Sequence, residues 1–467
     1  MTSRNDRAEG VLLGTAAGDA LGAPYEFQPP RGPQLPVEMA GGGPWEPGEW
    51  TDDTAMAIAI AEVAATGVDL RDEAAQDAIV ARWYDWSRTA KDVGIQTRSV
   101  LNRCGGASAA RAREAAHTVH AQTGRSGGNG SLMRTAPVAL AYLDDEDAMV
   151  EAARAISGLT HFDPEAADAT VLWCCAIRHA VLTAELEVRI GLPHIVAERR
   201  EAWRDRIEQA ERSVPSDFPK NGWVVQALQA AWSAIVTTRR DGGPEHLART
   251  LDAAVRCGFD TDTVAAIAGG LIGAAYGASA VPLQWRHLLH GWPGMTARGL
   301  VRLAATIQTA GRTPAQPDYT GYRTGALAVH PHDPGVLIGA VGALRELPAG
   351  VDAVVSLCRI ADRDVPVGMP HVEVRLIDST EPDDNPHLDF VLLDTVRTIE
   401  ALRAQGRTVL VHCVEALSRT PTVAALYGMR RGADGALTDV LAVLPNANPN
   451  PVFREAVWRL SPAVLPR

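Results

Sequence analysis

Two short acidic segments, far apart in the chain, carry the residue types best suited to chemistry: Trp50-Thr51-Asp52-Asp53-Thr54 and Asp260-Thr261-Asp262-Thr263. Each stands immediately before an Ala-rich, almost uncharged stretch that reads as a helix. Thr and Asp are favoured helix N-caps, and acids in a first turn suit the helix dipole. A cap needs only one acceptor oxygen, whereas these segments supply Asp52, Asp53, Asp260 and Asp262 together with the hydroxyls of Thr51 and Thr263. If both helix starts face one cleft, four carboxylates crowd together, repel one another and call for a cation. Hard oxygen ligands in this number suit Mg²⁺ or Mn²⁺, two ions that keep several of their waters.

A second constellation lies near the C-terminal end. Residues 409–420, VLVHCVEALSRT, have the form strand, Cys-x5-Arg, Thr, helix. Successive backbone N–H groups at a helix start cradle an oxyanion, and Arg419 is placed to grip it with two hydrogen bonds. The same dipole and cation favour the thiolate form of Cys413. The alternative, an inert core cysteine closing a strand, fits Cys358 better than Cys413.

The acidic segments belong to a longer ordered series. It comprises Gly14–Gly22 (GTAAGDALG) with Glu26, the Gly41-Gly42-Gly43-Pro44 loop, Gly48–Thr54, Asp92–Thr97 (DVGIQT), Gly128–Arg134 (GNGSLMR), Thr160-His161 and Asp260–Thr263. In this order the series resembles the ADP-ribosylglycohydrolase family, which includes the dinitrogenase reductase-activating glycohydrolases. The resemblance implies an all-α fold with a dinuclear Mg²⁺ or Mn²⁺ cleft. It implies cleavage of an ADP-ribosyl N- or O-glycosidic bond on a modified protein or a small-molecule conjugate. It further implies that Asn129, Gly130 and Ser131 hold the ribose and phosphates, and that His161 touches substrate. Read alone, that loop is a turn and His161 a structural histidine. Glu26 matches a carboxylate that approaches the metal cleft, and Asp92 one that serves as base in some members; the choice between them stays open. Asp19 interrupts an apolar segment and so needs a buried partner or a capping role, which points to support rather than catalysis. A non-catalytic ADP-ribose sensor is the competing class.

The cysteine segment is similar to the dual-specificity branch of the protein-tyrosine phosphatases, over about Gly321 to Pro451. The resemblance implies Cys413 as nucleophile, Arg419 as phosphate binder and Thr420 as a hydroxyl assisting the thiolate. A general acid should come from the loop Ile377–Asp384; Asp378, directly after a strand, is the first choice, with Asp383 and Asp384 open. The chain departs from that family at Ala416, where a glycine is usual and the loop turns tightly. A Cβ at a position needing φ > 0 costs on the order of 1 kcal/mol or more. Glu415 adds a carboxylate that repels phosphate. Phosphatase activity on a phosphorylated substrate and phosphate binding without turnover are therefore both carried forward.

The elements that must position these residues fall into two regimes. Up to about Ala305 the sequence is rich in Ala, Leu and Arg at helical spacing, predicting helices such as Thr54–Ala65, Asp77–Thr89, Pro164–Glu185 and Pro244–Cys257. A turn-rich segment runs from Thr309 to Pro334. Beyond it, Val351–Cys358, Val372–Ile377 and Thr408–Cys413 read as buried strands, with helices at Leu388–Ala404 and Pro421–Arg430. The expected organisation is multi-domain: an all-α domain over residues 1–317 followed by an α/β domain over residues 318–467. The apolar run Val264–Ala280, with four glycines, falls short of a bilayer span and predicts a tightly packed buried helix.

Composition bounds the partners. Of 467 residues, 46% are hydrophobic and 21% charged, which excludes a disordered chain, and the net charge of −12 argues against nucleic-acid or anionic-membrane partners. Six cysteines with no CxxC pair do not suggest a disulfide framework. A reducing, cytoplasmic location is the expectation, with no signal peptide read at the amino terminus.

Overall fold

Glycines spaced four apart decide how the helical part packs. Gly10, Gly14, Gly18 and Gly22 line one face of α1 (Ser3–Gly22). The further helices that frame the site are α2 (Asp52–Ala64), α3 (Ile95–Cys104), α4 (Pro164–Thr183), α5 (Val224–Thr237) and α6 (Thr261–Tyr276). A Cβ at Gly14 would lie 2.3 Å from the Gly269 carbonyl oxygen, and one at Gly18 would lie 2.0 Å from that of Ala265. At Gly22 it would lie 2.4 Å from the Asp262 Cα. Thus α1 and α6 run antiparallel with their backbones touching, which only glycine allows. The expected tight packing of the Val264–Ala280 run is this contact. It sets the end of α1 beside the start of α6.

The computed structural model describes residues 3–240, 242–322 and 325–464. The chain divides into two units, Arg4–Val281 with Leu288–Pro314, and Pro282–His287 with Ala315 onward. Among its described residues the first unit is helical apart from a two-residue antiparallel pairing of His290–Gly291 with Met295–Thr296 and isolated bridges. No helix among the described residues is long and apolar enough to cross a membrane.

The second unit is built on a five-stranded sheet. Its strands are β1 (Leu327–His330), β2 (Asp333–Ala340), β3 (Ala353–Ser356), β4 (His371–Glu373) and β5 (Val409–Cys413), in the order β1-β2-β5-β3-β4. β1 pairs antiparallel with β2, and every other pairing is parallel. The central strand β5 is buried along its whole length, as its unbroken apolar run suggests. The unit's helices include α7 (Leu388–Ala404), α8 (Arg419–Arg430) and α9 (Pro451–Val464). Val355, Val396, Ile399, Val411, Val423 and Phe453 meet in its core.

Two strands fall partly in the segment read as turns. β1 is an edge strand whose residues alternate in exposure, and β2 carries Pro334, Gly335 and Gly339, so neither has a clean strand signature.

Candidate functional site

The two acidic segments do meet. Thr51 Oγ1 donates to Asp262 Oδ2 at 3.4 Å, and Thr263 Oγ1 donates to Asp53 Oδ2 at 3.4 Å, so each helix start holds a carboxylate of the other. Capping is only a small part of what these acids do: Asp262 Oδ1 accepts from the first-turn Thr263 N at 2.9 Å. Thr51 and Asp260 occupy the N-cap positions of α2 and α6, and neither side chain caps its own helix. The cap of α2 comes from outside: Asp19, on α1, accepts from Thr51 N at 2.9 Å, Thr54 N at 2.9 Å and Thr54 Oγ1 at 2.6 Å. Asp19 thereby frees Asp52 and Asp53 for another task, the supporting role expected of it.

Ligand oxygens of Asp19, Asp53 and Asp262 lie within 4.8 Å of one another, as do those of Glu26, Asp260 and Asp262. Asp53 Oδ1 is buried with no hydrogen-bond partner among the described residues. A buried carboxylate oxygen without a donor costs free energy, and a divalent cation is the partner this donor set fits.

The electrostatics agree. Burial, reinforced by the neighbouring carboxylates, pushes Asp52 up to about 7 and Glu26 up to about 8. Burial and the same crowding hold Asp53 and Asp262 well above the usual carboxylate range, and burial raises Asp260. Asp19 is raised to about 6 by burial, against its three hydrogen bonds. Such a cluster holds protons unless a cation replaces them.

Around the carboxylates sits the polar loop. Asn129 Nδ2 donates to Asp260 Oδ2 at 2.8 Å and to the Asn221 carbonyl at 2.9 Å. Gly128 and Gly130 face His161, where an added Cβ would meet ring atoms at 3.3–3.4 Å. His161 Nδ1 shares a hydrogen bond with Thr160 Oγ1 at 2.7 Å, and burial beside Arg134 holds the imidazole well below its ordinary value, hence neutral. Ser131 Oγ is buried without a partner among the described residues. Asp92 is more open, its side chain 53% exposed and 3.8 Å from Arg98, yet its charge is among those that raise Glu26 and Asp52. Glu26 is half-buried.

Asn221 escaped the sequence reading. Its Oδ1 accepts from Asp260 N, its Nδ2 donates to the Gly258 carbonyl, and its own carbonyl holds Asn129. One buried amide therefore fixes both the polar loop and a candidate ligand. An isolated Lys-Asn-Gly in a turn-like stretch gives no signal of this. Arg134 is also buried, its guanidinium 4.1 Å from the Trp83 ring centroid and donating to Thr160 Oγ1 at 2.7 Å. Burial lowers it to about 9.

In the second unit, Cys413 ends β5 and Arg419 begins α8, as the motif requires. Arg419 Nη1 donates to the Leu357 and Leu376 carbonyls at 3.1 and 3.2 Å, while its buried Nε has no partner among the described residues. Thr420 Oγ1 donates to the Gly339 carbonyl at 3.3 Å. Ala416 adopts φ +58°, the left-handed conformation expected at this position. Asp378 is tied to the loop through Asn450, whose Nδ2 donates to Asp378 Oδ1 at 2.9 Å and whose backbone N donates to Ser418 Oγ at 3.1 Å. Asp383 and Asp384 sit in the short helical turn Pro382–Asp384. Burial pushes the Cys358 thiol up to about 12, in keeping with a core cysteine.

A largely helical unit with such a buried carboxylate cluster is the scaffold of a glycohydrolase family. The chain belongs to the ADP-ribosylglycohydrolase family, whose sequence profile matches residues 1–314. It is 31% identical over 287 residues to "ADP-ribosylarginine hydrolase Tri1" of Pseudomonas putida (strain GB-1), covering 60% of this chain and 73% of that one. It is also 31% identical over 296 residues to "ADP-ribosyl-[dinitrogen reductase] glycohydrolase" of Rhodospirillum rubrum, covering 61% and 90%. A solved structure titled "ADP-ribosylglycohydrolase-related protein complex" is 32% identical, with a TM-score of 0.52, over 66% of this chain and 99% of that one.

Proposed function

We propose that the helical unit hydrolyses an ADP-ribosyl N- or O-glycosidic bond with two divalent ions, Mg²⁺ or Mn²⁺. The observation that carries this reading is the convergence of Asp53 and Asp262 from two helix starts far apart in sequence, with buried Asp53 Oδ1 left without a hydrogen-bond partner among the described residues. Asp52, Asp53, Asp260 and Asp262, with the hydroxyls of Thr51 and Thr263, would hold the ions. When bound, such ions orient the ribose hydroxyls and lower the pKa of a water.

The chain's own residues do the rest. The loop Asn129-Gly130-Ser131 presents backbone and hydroxyl groups to the ribose and phosphates. Neutral His161, locked by Thr160, is a fixed hydrogen-bond wall rather than a charge. Glycosidic cleavage builds positive character on the ribose ring, and the carboxylate cleft stabilises it electrostatically. A carboxyl must take the proton from water or deliver one to the leaving group, and Glu26 and Asp92 are the two candidates.

The substrate follows by analogy with the Tri1 relative: an ADP-ribosylated arginine on a protein, or a free conjugate of it. Incubation of the full chain with ADP-ribosylated arginine peptide and with an O-linked serine counterpart separates the two linkages. Release of ADP-ribose from the arginine peptide, abolished in Asp262→Ala, is the expected result. Release from neither peptide overturns the reading.

The second unit supports a cysteine-based phosphate site. Cys413 would attack phosphorus as the P–O bond to the leaving oxygen breaks, Arg419 would hold the phosphoryl oxygens, and Asp378 would protonate the leaving oxygen. Water then cleaves the phosphocysteine. The favouring observation is the placement of Asp378 against the Cys413–Arg419 loop by Asn450. Rapid alkylation of Cys413, slowed by phosphate or vanadate, tests the loop, and hydrolysis of an aryl phosphate lost in Cys413→Ser tests turnover.

A further inference from the structure

A cavity of about 230 Å³ opens beside the Cys413 loop. Its lining includes the loop residues Val414–Leu417 together with Tyr322, Leu444, Pro445 and Asn446. Among the described residues that line it, Glu415 is the only charged group. That side chain is exposed, and no ion pair or hydrogen bond engages it among the described residues. Three of the walls are apolar (Tyr322, Leu417, Leu444), and the proline at 445 adds a fourth hydrocarbon face.

An acid at this position conflicts with the loop that carries it. Arg419 and the start of α8 favour a dianionic phosphate, while the Glu415 carboxylate, two residues from Cys413, repels the same phosphate. A substrate whose phosphate is followed at short range by a cation removes the conflict, because the cation lies between the phosphate and the carboxylate and is attracted by both. A hydrocarbon stem ending in an ammonium or guanidinium matches a cavity with apolar walls and one carboxylate. We infer that Glu415 and this cavity form a subsite for a basic side chain adjacent to the phosphorylated residue of a polypeptide substrate. The inference rests on the reading of the Cys413–Arg419 loop as a phosphate site. It makes Glu415 a specificity determinant, the residue that rejects phosphate alone and accepts phosphate with a neighbouring cation.

The test uses the full chain with Cys413→Ser, which binds without turnover. Three fluorescent phosphotyrosine peptides differ only in the residues flanking the phosphotyrosine: arginine, glutamine or glutamate. Binding is followed by anisotropy, with inorganic phosphate as competitor. The arginine peptide should bind up to about fivefold more tightly than the glutamine peptide, the effect of one exposed charge pair, and the glutamate peptide more weakly still. Glu415→Gln should erase this ranking while phosphate still competes with all three, which shows that the loop remains intact. Competed binding with no ranking in the unsubstituted Glu415 chain overturns the subsite and leaves the phosphate loop standing. A ranking that persists in Glu415→Gln also overturns it. No phosphate-competed binding of any peptide overturns the loop reading and the subsite with it. Aminoethyl phosphate, run as a competitor, distinguishes a peptide subsite from one for a small zwitterion: competition at lower concentration than the arginine peptide would overturn the peptide assignment.

Discussion

The two units assemble their sites in opposite ways. In the second, the central residues lie within one stretch of chain, Cys413 to Thr420, where a strand ends and a helix begins. In the first, the clustered carboxylates come from residues about two hundred positions apart, and nothing local brings them together. What does so is the glycine face of α1 against α6, and the cap that Asp19 lends to α2. A contiguous site is robust to changes elsewhere and sensitive to its own loop geometry. A dispersed site is hostage to packing that lies outside it.

The largest expected effect tests that dependence. Gly18→Val places a side chain where the Ala265 carbonyl stands 2.0 Å from the Cβ position, so α1 must move off α6. Overpacking of this kind costs about 3 kcal/mol, and the displacement separates Asp19 from the α2 start. Loss of divalent-ion binding in the helical unit, with the Cys413 loop still reactive, is the expected outcome. Calorimetric metal titration and Cys413 alkylation on the same sample read the two units separately. Retained metal affinity would show that the dispersed site does not depend on this contact.

Next comes a change in sign. Asp53→Asn replaces a carboxyl whose ionised form the buried cluster penalises, so at pH 8 the metal-free protein should melt at a higher temperature than the parent. The same variant should lose the thermal shift that Mn²⁺ gives the parent and fall in ADP-ribose release by about a hundredfold or more. A lower melting temperature without metal would contradict the account of carboxylate repulsion.

The proton affinities predict opposite pH responses in the two units. Asp19, Asp52 and Glu26 hold their protons up to about 6, 7 and 8 in the fold, against about 4 in an unfolded chain. Raised carboxyl values favour the folded state fully below pH of about 4, and that contribution is lost as pH rises toward 8. The metal-free helical unit should therefore weaken from pH 5 to pH 8, and the stabilisation by Mn²⁺ should grow over the same range. In the second unit, burial holds His412, bonded to Ser356 Oγ at 2.7 Å, down at about 4. Its contribution is present above pH of about 6.5 and is lost as pH falls toward 4. Hydrogen exchange at amides of α6 and of β5, corrected for intrinsic rates, follows the two trends in one sample.

The smallest effect concerns the loop itself. Ala416 holds φ +58°, so Ala416→Gly should stabilise the second unit by about 1 kcal/mol in denaturant unfolding and leave the helical unit unchanged.

What the sequence made legible follows the same division. The Cys413–Arg419 loop, the central strand and the left-handed turn at Ala416 could all be read because their signals are local. So could helices such as Leu388–Ala404, which carries its own periodicity. The pairing of Thr51 with Asp262 and of Thr263 with Asp53 was a conditional statement in the sequence, since no spacing along the chain says that two helix starts share a cleft. Asn221 was invisible because its importance lies in partners brought from elsewhere in the chain. β1 and β2 were hidden by an edge position and by proline and glycine. Asp19 was half-legible: a charge in an apolar helix demanded a partner, but which backbone it would cap only the fold reveals.

If the buried carboxylates hold divalent ions, the glycosidic bond is not cleaved without them. The direct measurement is ADP-ribose release from an ADP-ribosylated arginine peptide as Mn²⁺ is titrated into the chelator-stripped full chain, with bound Mn²⁺ counted in parallel by electron paramagnetic resonance. The account predicts no release from the stripped chain and activity that rises with occupancy of the cleft. It also predicts that Asp53→Asn and Asp262→Ala lose both signals together. Undiminished release from the stripped chain in excess chelator would contradict it.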